Sequence, residues 1–410
     1  MSFLLRLLLI VVVCGSLEPA LRAQDHTVVF VQPGFPAADA GQIPESALTQ
    51  GIQEAHLVNA AQLDDALASP QTDLLVLPYG SAYPEAAWPS ILRYLDRGGN
   101  LIVIGGKPFT RAAYRDGDTW RLRSPSVAAS LELFIQGYQA TPGSQALRFQ
   151  PNADIEPQLQ PFAWKQAYSP VIRLSVTPTS QHELGSSGSE DAYLTTLAWG
   201  TQDGHKLAAP VLLIDHVHNR FVGGRWIFLA CTPEGSSLND PQLLHTLQVL
   251  ALRQNDRFTF LPRVPLFLQG EALEFQFRPV NSEAVQPGDV LKVNVHAEGA
   301  APQNLTFSAD AAQSITLPQS AASGSGLHTV DTVLWRNGAR LWTYHSGFWI
   351  RDLAWLRGGS RLSVNADYFE LNGKPLPVVG TTYMASDVDR EFLAEPNAYV
   401  WNQDMQQIHS

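Results

Sequence analysis

The alternation of apolar, strand-like runs with segments of helical periodicity constrains the fold of this chain more than any other feature. Residues 73–77 and 101–104 are short, almost entirely apolar runs, the pattern of strands that are buried on both faces. A helix is predicted between them at 85–97, and apolar side chains recur along one face of it: Trp88, Ile91, Leu92 and Leu95. This order of elements favours a parallel sheet that is covered by helices.

The same alternation continues on both sides of this unit. Further strands are predicted at 26–31, 209–214 and 225–230, and further helices at 45–57 and 241–252. Residues 110–208 are less regular and richer in Pro, Ser and Gln, which indicates insertions and edge structure. We therefore predict that residues 24–255 form a doubly wound α/β domain.

Two motifs in this α/β region match a known pattern. Residues 95–106 read Leu-Asp-Arg-Gly-Gly-Asn-Leu-Ile-Val-Ile-Gly-Gly, and residues 228–234 read Phe-Leu-Ala-Cys-Thr-Pro-Glu. They resemble the "G-G-x-L-x-G-I-C-x-G" elbow and the "F-H-P-E" segment of class I glutamine amidotransferases. The resemblance places the nucleophilic cysteine at Gly105 and the base histidine at Thr232, and it retains only Glu234 of the triad. Covalent amide chemistry then has no nucleophile, so the resemblance implies an inactive relative of that fold.

A cluster of polar residues, Asp215, His216, His218 and Arg220, follows a buried strand. Two imidazoles on one strand edge are able to bind a metal, but they need a third ligand, and the nearby sequence supplies none. The interpretation that we favour is a polar strand end in which Arg220 pairs with Asp215. A hydrolase that acts through Asp215, His216 or Glu234 is a further hypothesis, weakened by the missing nucleophile. No metal and no cofactor are predicted.

From residue 256 onward the sequence changes to short runs in which apolar and polar residues alternate. Strands are predicted at 273–277, 290–295, 305–307, 314–317, 328–334 and 341–344. Period-2 strands at this spacing predict an immunoglobulin-like β-sandwich over residues 256–360. Its tryptophans are expected in core or interdomain packing, with sugar stacking as the alternative: Trp335, Trp342, Trp349 and Trp355.

The C-terminal residues read as a hairpin that leads into a buried strand. The Asn372-Gly373 pair favours a type I′ turn, because both central residues of that turn need a positive φ. The apolar run 375–380 is predicted to be the buried strand, and 396–408 the helix after it. In that helix Trp401 is expected to pack inward and Asp404 to be solvated. Polar residues lie between the strand and the helix: Thr381, Thr382, Tyr383, Ser386, Asp387 and Arg390.

Residues 369–383 contain "F-x-x-N-G-K-P" followed by "V-x-G-T-x-Y", and they resemble the opening of the (β/α)₈ catalytic barrel of retaining glycoside hydrolases of the β-galactosidase and cellulase kind. The resemblance implies that residues 361–410 are the truncated start of such a barrel, whose catalytic carboxylates lie on later strands beyond this chain. It places Tyr383, Asp387 and Arg390 where they would bind or orient a sugar. An Asp387–Arg390 ion pair that stiffens the loop is an equally weighted alternative.

Residues 1–23 read as a signal peptide, with Arg6 before a short apolar run and the small residue Ala23 at the end. The run is too short to span a bilayer comfortably, so we expect a secreted or periplasmic protein. Cleavage would leave Cys231 as the only cysteine, and we expect it to be a small buried side chain. The net charge of −11 and the absence of a basic run argue against nucleic acid and anionic membranes as partners.

These expectations combine into a multidomain chain of an amidotransferase-like α/β domain, an immunoglobulin-like β-sandwich and the start of a barrel. The leading hypothesis is the N-terminal, non-catalytic portion of a secreted glycoside hydrolase that acts on β-linked sugars. The α/β domain is similar to non-catalytic domains that accompany β-galactosidase barrels and help them assemble, so homo-oligomers through it are also expected. The alternative is a complete, non-catalytic carbohydrate-binding or assembly protein.

Overall fold

A computed structural model describes residues 26–173, 191–388 and 390–409. The predicted signal peptide at residues 1–23 lies outside the described residues. Within them the chain is a mixed α/β protein with many strands and few helices. In the described ranges, no helix is long and apolar enough to cross a membrane.

The first part of the chain, to residue 252, contains most of the helices. Its strands are β1 (His26–Phe30), β2 (Ala55–Val58), β3 (Thr72–Leu77), β4 (Ala82–Pro84), β5 (Asn100–Ile104), β6 (Arg111–Asp116), β7 (Thr119–Leu122), β8 (Ile135–Ala140), β9 (Arg148–Pro151), β10 (Trp164–Ile172), β11 (Ala192–Gln202), β12 (His205–His216), β13 (Arg225–Leu229) and β14 (Cys231–Pro233). Its helices are α1 (Glu45–Gly51), α2 (Leu63–Ala68), α3 (Trp88–Asp96), α4 (Ala128–Glu132) and α5 (Pro241–Leu252).

An eight-stranded sheet in the order β2-β1-β3-β5-β13-β12-β11-β9 organises this part. Its first five strands are parallel, and β12, β11 and β9 continue it antiparallel. The irregular region predicted at 110–208 thus supplies the edge strand β9 and its neighbour β11. It also contributes to two small sheets, β14-β10-β8 and β4-β6-β7.

Helices cover both faces of the parallel strands. Val29 and Val76 point to the face that packs against Leu48 of α1 and against α5. The alternate residues Val28 and Leu75 belong to the other face, which α2 and α3 cover. Because successive side chains of a strand point to opposite faces, both faces of β1 and β3 are buried, as their apolar runs predict.

The prediction of one helix over 45–57 is wrong. The helix α1 ends at Gly51, and Ala55–Val58 forms the edge strand β2 beside β1. Gly51 packs so closely on α5 that a Cβ atom there would lie 2.7 Å from Leu244 Cβ. The chain then turns at Glu54, whose φ is +53°, so tertiary packing ends a helix that the apolar spacing alone would continue.

The second part of the chain is a β-sandwich, and every strand predicted there is present. The strands are β15 (Phe258–Pro262), β16 (Leu266–Phe267), β17 (Leu273–Pro279), β18 (Val290–Ala297), β19 (Gln303–Ser308), β20 (Gln313–Leu317), β21 (Gly326–Arg336) and β22 (Ala339–Ile350). They form a three-stranded sheet, β15-β17-β20, and a five-stranded sheet, β16-β22-β21-β18-β19. Phe275 and Phe348 meet edge to face between the two sheets, with ring centroids 5.7 Å apart. Face-to-face packing of this kind is typical of a sandwich core.

The C-terminal segment contains α6 (Leu353–Gly358), β23 (Leu362–Val364), β24 (Phe369–Leu371), β25 (Lys374–Leu376) and α7 (Ala398–His409). The predicted hairpin joins β24 to β25, and Asn372 and Gly373 have φ values of +52° and +75°. The predicted buried strand at 375–380 is wrong, because residues after Leu376 leave the sheet and Val379 is 93% exposed. A buried parallel strand needs neighbouring strands, and the described residues provide none here.

Candidate functional site

The loop before α7 is fixed by a hydrogen-bonded carboxylate. The Tyr383 hydroxyl donates to Asp404 Oδ2 at 2.7 Å, and the backbone N–H of Ser386 donates to the same oxygen at 3.0 Å. Burial and the bond to the Asp404 carboxylate raise the pKa of Tyr383. Asp404 is therefore a structural acceptor in this loop and not a merely solvated helix residue, as the sequence had suggested.

Asp387 is half-buried and lies close to Tyr383 and Asp404. The Asn397 side chain donates to Asp387 Oδ2 at 3.4 Å and to the backbone oxygen of His345 at 3.0 Å. The other carboxyl oxygen of Asp387, Oδ1, is buried without a hydrogen-bond partner among the described residues. Burial, reinforced by the charge of Asp404, raises the pKa of Asp387 to about 6. This carboxyl group is thus able to change its charge near neutral pH. Arg390 begins a short 3₁₀ turn, Arg390–Leu393, and its side chain lies outside the described part of the structure.

Tyr383 also lines a small aromatic cavity between the sandwich and the C-terminal segment. The cavity has a volume of about 310 Å³ and is bordered by Trp349, Tyr383, Phe392, Trp401, Asn402 and Met405. Trp401 lies between Trp349 and Phe392, with centroid distances of 6.0 Å to each ring. Such a combination of aromatic faces with a few polar groups is typical of small-molecule sites. Trp349 therefore borders an open cavity, whereas Trp342 is buried in the sandwich core.

The amidotransferase-like positions lie at the carboxyl end of the parallel strands. Gly105 directly follows β5, and its backbone N–H donates to the carbonyl of Leu229 at the end of β13. Thr232 lies in β14, with its hydroxyl 3.3 Å from the hydroxyl of Tyr168, and Glu234 is exposed beyond that strand. These positions therefore carry neither the cysteine nor the histidine of the amidotransferase pattern.

Cys231, the residue before Thr232, is fully buried, and burial raises the pKa of its thiol. A thiol held in its neutral form is a poor nucleophile. The side chain thus behaves as the small buried apolar residue that the sequence predicted.

The polar cluster after β12 is an ion-pair network, but with partners that differ from the prediction. Asp215 binds Arg225 Nε through Oδ1 at 2.6 Å and Arg257 Nη2 through Oδ2 at 3.2 Å. Arg220, which was expected to pair with Asp215, instead binds Asp96 at 2.6 Å. The two guanidinium groups outweigh the effect of burial and hold the pKa of Asp215 below its usual value.

The two histidines of this cluster do not form a metal site. His216 is 6% exposed, and burial lowers its pKa to about 4, whereas His218 is exposed. Within the part of the chain that the structure describes, no group of three or more His, Cys, Asp or Glu side chains is placed to hold a metal ion. Asp215 pairs with Arg225 at the start of β13, whereas Glu234 follows β14, which comes after the end of β13.

Sequence reasoning missed a second network at the junction between the two parts. The ring of His345 lies between two carboxylates, with Nδ1 2.7 Å from Asp331 Oδ1 and Nε2 3.1 Å from Asp154 Oδ2. Arg340 Nη2 also donates to Asp154 Oδ1, at 3.1 Å. Asp154 lies 191 positions from His345 and carries no local motif, so nothing in the sequence joined it to this network. Asp331 is the cross-strand neighbour of His345 in the hairpin of β21 and β22, so the register of that hairpin is the signal that could have paired these two.

Comparisons with known proteins add structural neighbours. A scan against protein-family models and a search of curated proteins found no match. The chain is similar to the β-galactosidase from Rahnella sp. R3, with 13% identity, 72% of this chain and 41% of that chain covered, and a TM-score of 0.29. It is also similar to Gan42B, a GH42 β-galactosidase from G. stearothermophilus, with 10% identity, 80% of this chain and 39% of that chain covered, and a TM-score of 0.31. A third neighbour is α-L-fucosidase isoenzyme 2 from Paenibacillus thiaminolyticus, with 13% identity, 72% of this chain and 47% of that chain covered, and a TM-score of 0.27. The chain thus spans less than half the length of each of these proteins.

Proposed function

We propose that this chain is the N-terminal, non-catalytic portion of a secreted glycoside hydrolase that acts on β-linked sugars. In this proposal residues 24–255 are an inactive amidotransferase-like domain and residues 256–360 an immunoglobulin-like sandwich. Residues 361–410 begin the catalytic barrel, and the catalytic carboxylates lie in sequence beyond them. The signal peptide at 1–23 directs export.

The observation that carries this proposal is the exposed apolar surface of the C-terminal segment. Large apolar side chains there are between 46% and 93% exposed: Leu362, Val364, Tyr368, Phe369, Val378, Val379, Met384, Leu393, Met405 and Ile408. Contiguous exposed apolar residues mark a surface that another part of a protein covers. Further barrel strands and helices would bury these side chains.

The loop geometry supports a role for this segment in sugar binding. The resemblance to a barrel opening puts Tyr383 and Asp387 in the region where the active sites of barrels are built. The bond from the Tyr383 hydroxyl to Asp404 fixes the ring, and Asp387 has a buried carboxyl oxygen without a hydrogen-bond partner among the described residues. We assign Tyr383, Asp387 and Arg390 to positioning a sugar and not to cleaving a glycosidic bond.

The test is to read the coding sequence past the Ser410 codon and to express the whole reading frame. We expect the frame to continue for on the order of 200 residues with alternating strands and helices. The full product is expected to hydrolyse chromogenic β-glycosides, while residues 24–410 alone are inactive. A stop codon directly after Ser410, or a longer product without glycosidase activity, would refute the proposal.

The aromatic cavity favours a second candidate function, that of a non-catalytic carbohydrate-binding protein. Its rings and the Asn402 amide offer stacking faces and a hydrogen-bonding group to a sugar ring. Titrating residues 24–410 with β-linked disaccharides should then quench tryptophan fluorescence, and Trp401→Ala should remove that response. Trp342→Phe, in the sandwich core, serves as the control. Unchanged fluorescence at saturating sugar would contradict this candidate.

A further inference from the structure

A cavity at the carboxyl end of the parallel strands is separate from the aromatic cavity. It has a volume of about 590 Å³, and its lining includes Asp39, Lys107, Thr110 and Arg111. The strand order is β2-β1-β3-β5, so the chain passes from β1 to β2 on one side and then crosses to β3 on the other side of β1. Ligands of open α/β sheets bind at such a switch point, outside the carboxyl ends of the strands.

The rim of this cavity is held by short hydrogen bonds. Ser81, which is fully buried, donates through its hydroxyl to Asp39 Oδ2 at 2.7 Å. The Ser81 hydroxyl oxygen in turn accepts the backbone N–H of Lys107 at 2.7 Å. The Thr110 hydroxyl donates to the Lys107 carbonyl at 2.8 Å. Residues from the loops after β1, β3 and β5 are therefore fixed relative to one another before any ligand binds.

One residue that lines the cavity has a backbone conformation that L-residues rarely adopt. Asp39 has a φ value of +58°. Backbone strain of this kind persists only where the surrounding structure enforces it. Here the hydrogen bond from the Ser81 hydroxyl holds the Asp39 carboxylate.

The charges around the cavity define what it can accept. Lys107 forms no ion pair within the described residues, and its Nζ lies 5.3 Å from the ring centre of Tyr168. The Arg111 Nε donates to the carbonyl of Arg123 at 3.1 Å, so its charge is not neutralised by a carboxylate there. Two cations and one fixed carboxylate suit a ligand that carries both an anionic group and hydrogen-bond donors.

We infer that this cavity binds a small hydroxylated anion, an acidic sugar or a sugar phosphate, between Lys107, Arg111 and Asp39. The anionic group accepts hydrogen bonds from the two cations, and ring hydroxyls donate to the Asp39 carboxylate. The choice of a sugar rests on the proposed carbohydrate function, whereas the preference for an anion rests on the cavity alone. The α/β domain would then act as a sensor of acidic sugars although it has no catalytic triad.

The test is isothermal titration calorimetry on residues 24–410 with D-glucuronate, glucose 6-phosphate, D-glucose and inorganic phosphate. We expect glucuronate or glucose 6-phosphate to bind at least about tenfold more tightly than glucose or inorganic phosphate, which is the effect of one charged hydrogen bond. Preference for glucuronate identifies an acidic sugar as the ligand, and preference for glucose 6-phosphate identifies a sugar phosphate. Equal binding of glucose, or tighter binding of inorganic phosphate, would overturn the inference.

Variants separate this site from a general charge effect. Lys107→Met and Arg111→Lys should each weaken the preferred ligand about tenfold or more. Arg115→Met is the matched control, because Arg115 lies on the same strand as Arg111 but is exposed and away from the cavity. Asp39→Asn is a second variant that keeps the fold, since asparagine tolerates a positive φ, and it should reduce binding of the sugar but not of a simple anion. Full affinity in Lys107→Met would contradict the inference, and none of these results depends on glycosidase activity of the longer product.

Discussion

Replacing Asp215 with asparagine removes the carboxylate with which Arg225 and Arg257 form their ion pairs in the described structure. The Asp215 side chain is 1% exposed, and those of Arg225 and Arg257 are 4% and 13% exposed. Arg225 also donates through Nη1 to the carbonyl of Arg253, just after α5, at 2.7 Å. Asparagine has nearly the same shape, so the variant changes the charge of the network more than its packing.

The expected cost follows from the burial of the two guanidinium groups. Removing one partner of a buried ion pair leaves an uncompensated charge and costs about 3–5 kcal/mol. The Asp96–Arg220 pair is a matched control, because it has the same N–O distance of 2.6 Å but side chains that are 38% and 35% exposed. Breaking an exposed pair costs about 0–1 kcal/mol, so Asp96→Asn should change stability little.

The pH dependence gives the network a second signature. The folded-state pKa of Asp215 lies below the unfolded value of about 3.9, so its stabilising contribution is complete above about pH 4. It is lost as the pH falls through the lowered folded-state pKa. The wild type should therefore exceed Asp215→Asn in stability by the full amount near neutral pH, and the difference should shrink in acid.

Urea unfolding followed by far-ultraviolet circular dichroism measures both effects on the wild type and the two variants. Asp215 and Asp96 lie in the same α/β part, so their unfolding transitions are directly comparable. Equal losses for Asp215→Asn and Asp96→Asn, or a difference that does not change with pH, would refute the reasoning that burial sets the strength of this network.

Two further predictions concern the junction and the packing of helices. Hydrogen bonding to Asp331 raises the pKa of His345, against the effect of its burial. The contribution of His345 to folding stability is therefore complete below about pH 6.5 and is lost as the pH rises through the folded-state pKa. The melting-temperature advantage of the wild type over His345→Gln should thus be larger at about pH 6 than at about pH 9, and an advantage equal at both values would contradict this. Gly51→Ala would place a Cβ 2.7 Å from Leu244 Cβ and should cost about 1–3 kcal/mol in chemical unfolding, whereas Gly358→Ala, with open space around it, should cost nothing. Equal effects of the two alanines would show that close packing on α5 is not the cause.

The sequence alone was sufficient to predict helices and strands where the local pattern and tertiary burial favour the same structure. The helix predicted near 241–252 is present as α5, where Asp240 accepts a hydrogen bond from the Gln242 N–H and Pro241 occupies the first turn. The strands of the sandwich were found because a sheet with one buried face enforces alternation of apolar and polar residues. The parallel strands were found because burial on both faces removes polar residues from them.

Predictions from local pattern were wrong or incomplete where residues that are distant in sequence determine a contact or the end of a helix. Arg220 was assigned to Asp215, five positions away, but it pairs with Asp96, which lies 124 positions away in sequence. The helix predicted at 45–57 ends early because of α5, which is almost two hundred residues further on. The polar loop of the candidate site was located, yet its link between Tyr383 and Asp404 requires the fold of α7 against the loop.

Two networks join the α/β part to the sandwich: the Asp215 network, whose partners were misassigned from sequence, and the His345 network, which was missed. Their contributions to stability change with pH in opposite directions. Arg257, next to the first sandwich strand, reaches Asp215 of β12, and His345 of β22 reaches Asp154 of the α/β part. The Asp215 contact weakens in acid, whereas the His345 contact weakens as its imidazole loses a proton. Both contributions are complete only between about pH 4 and pH 6.5, the unfolded-state pKa values of the two residue types. Since one apolar cluster also runs continuously from Val29 to Phe348 through this junction, the two parts should unfold as one cooperative unit in that range and separate most readily outside it.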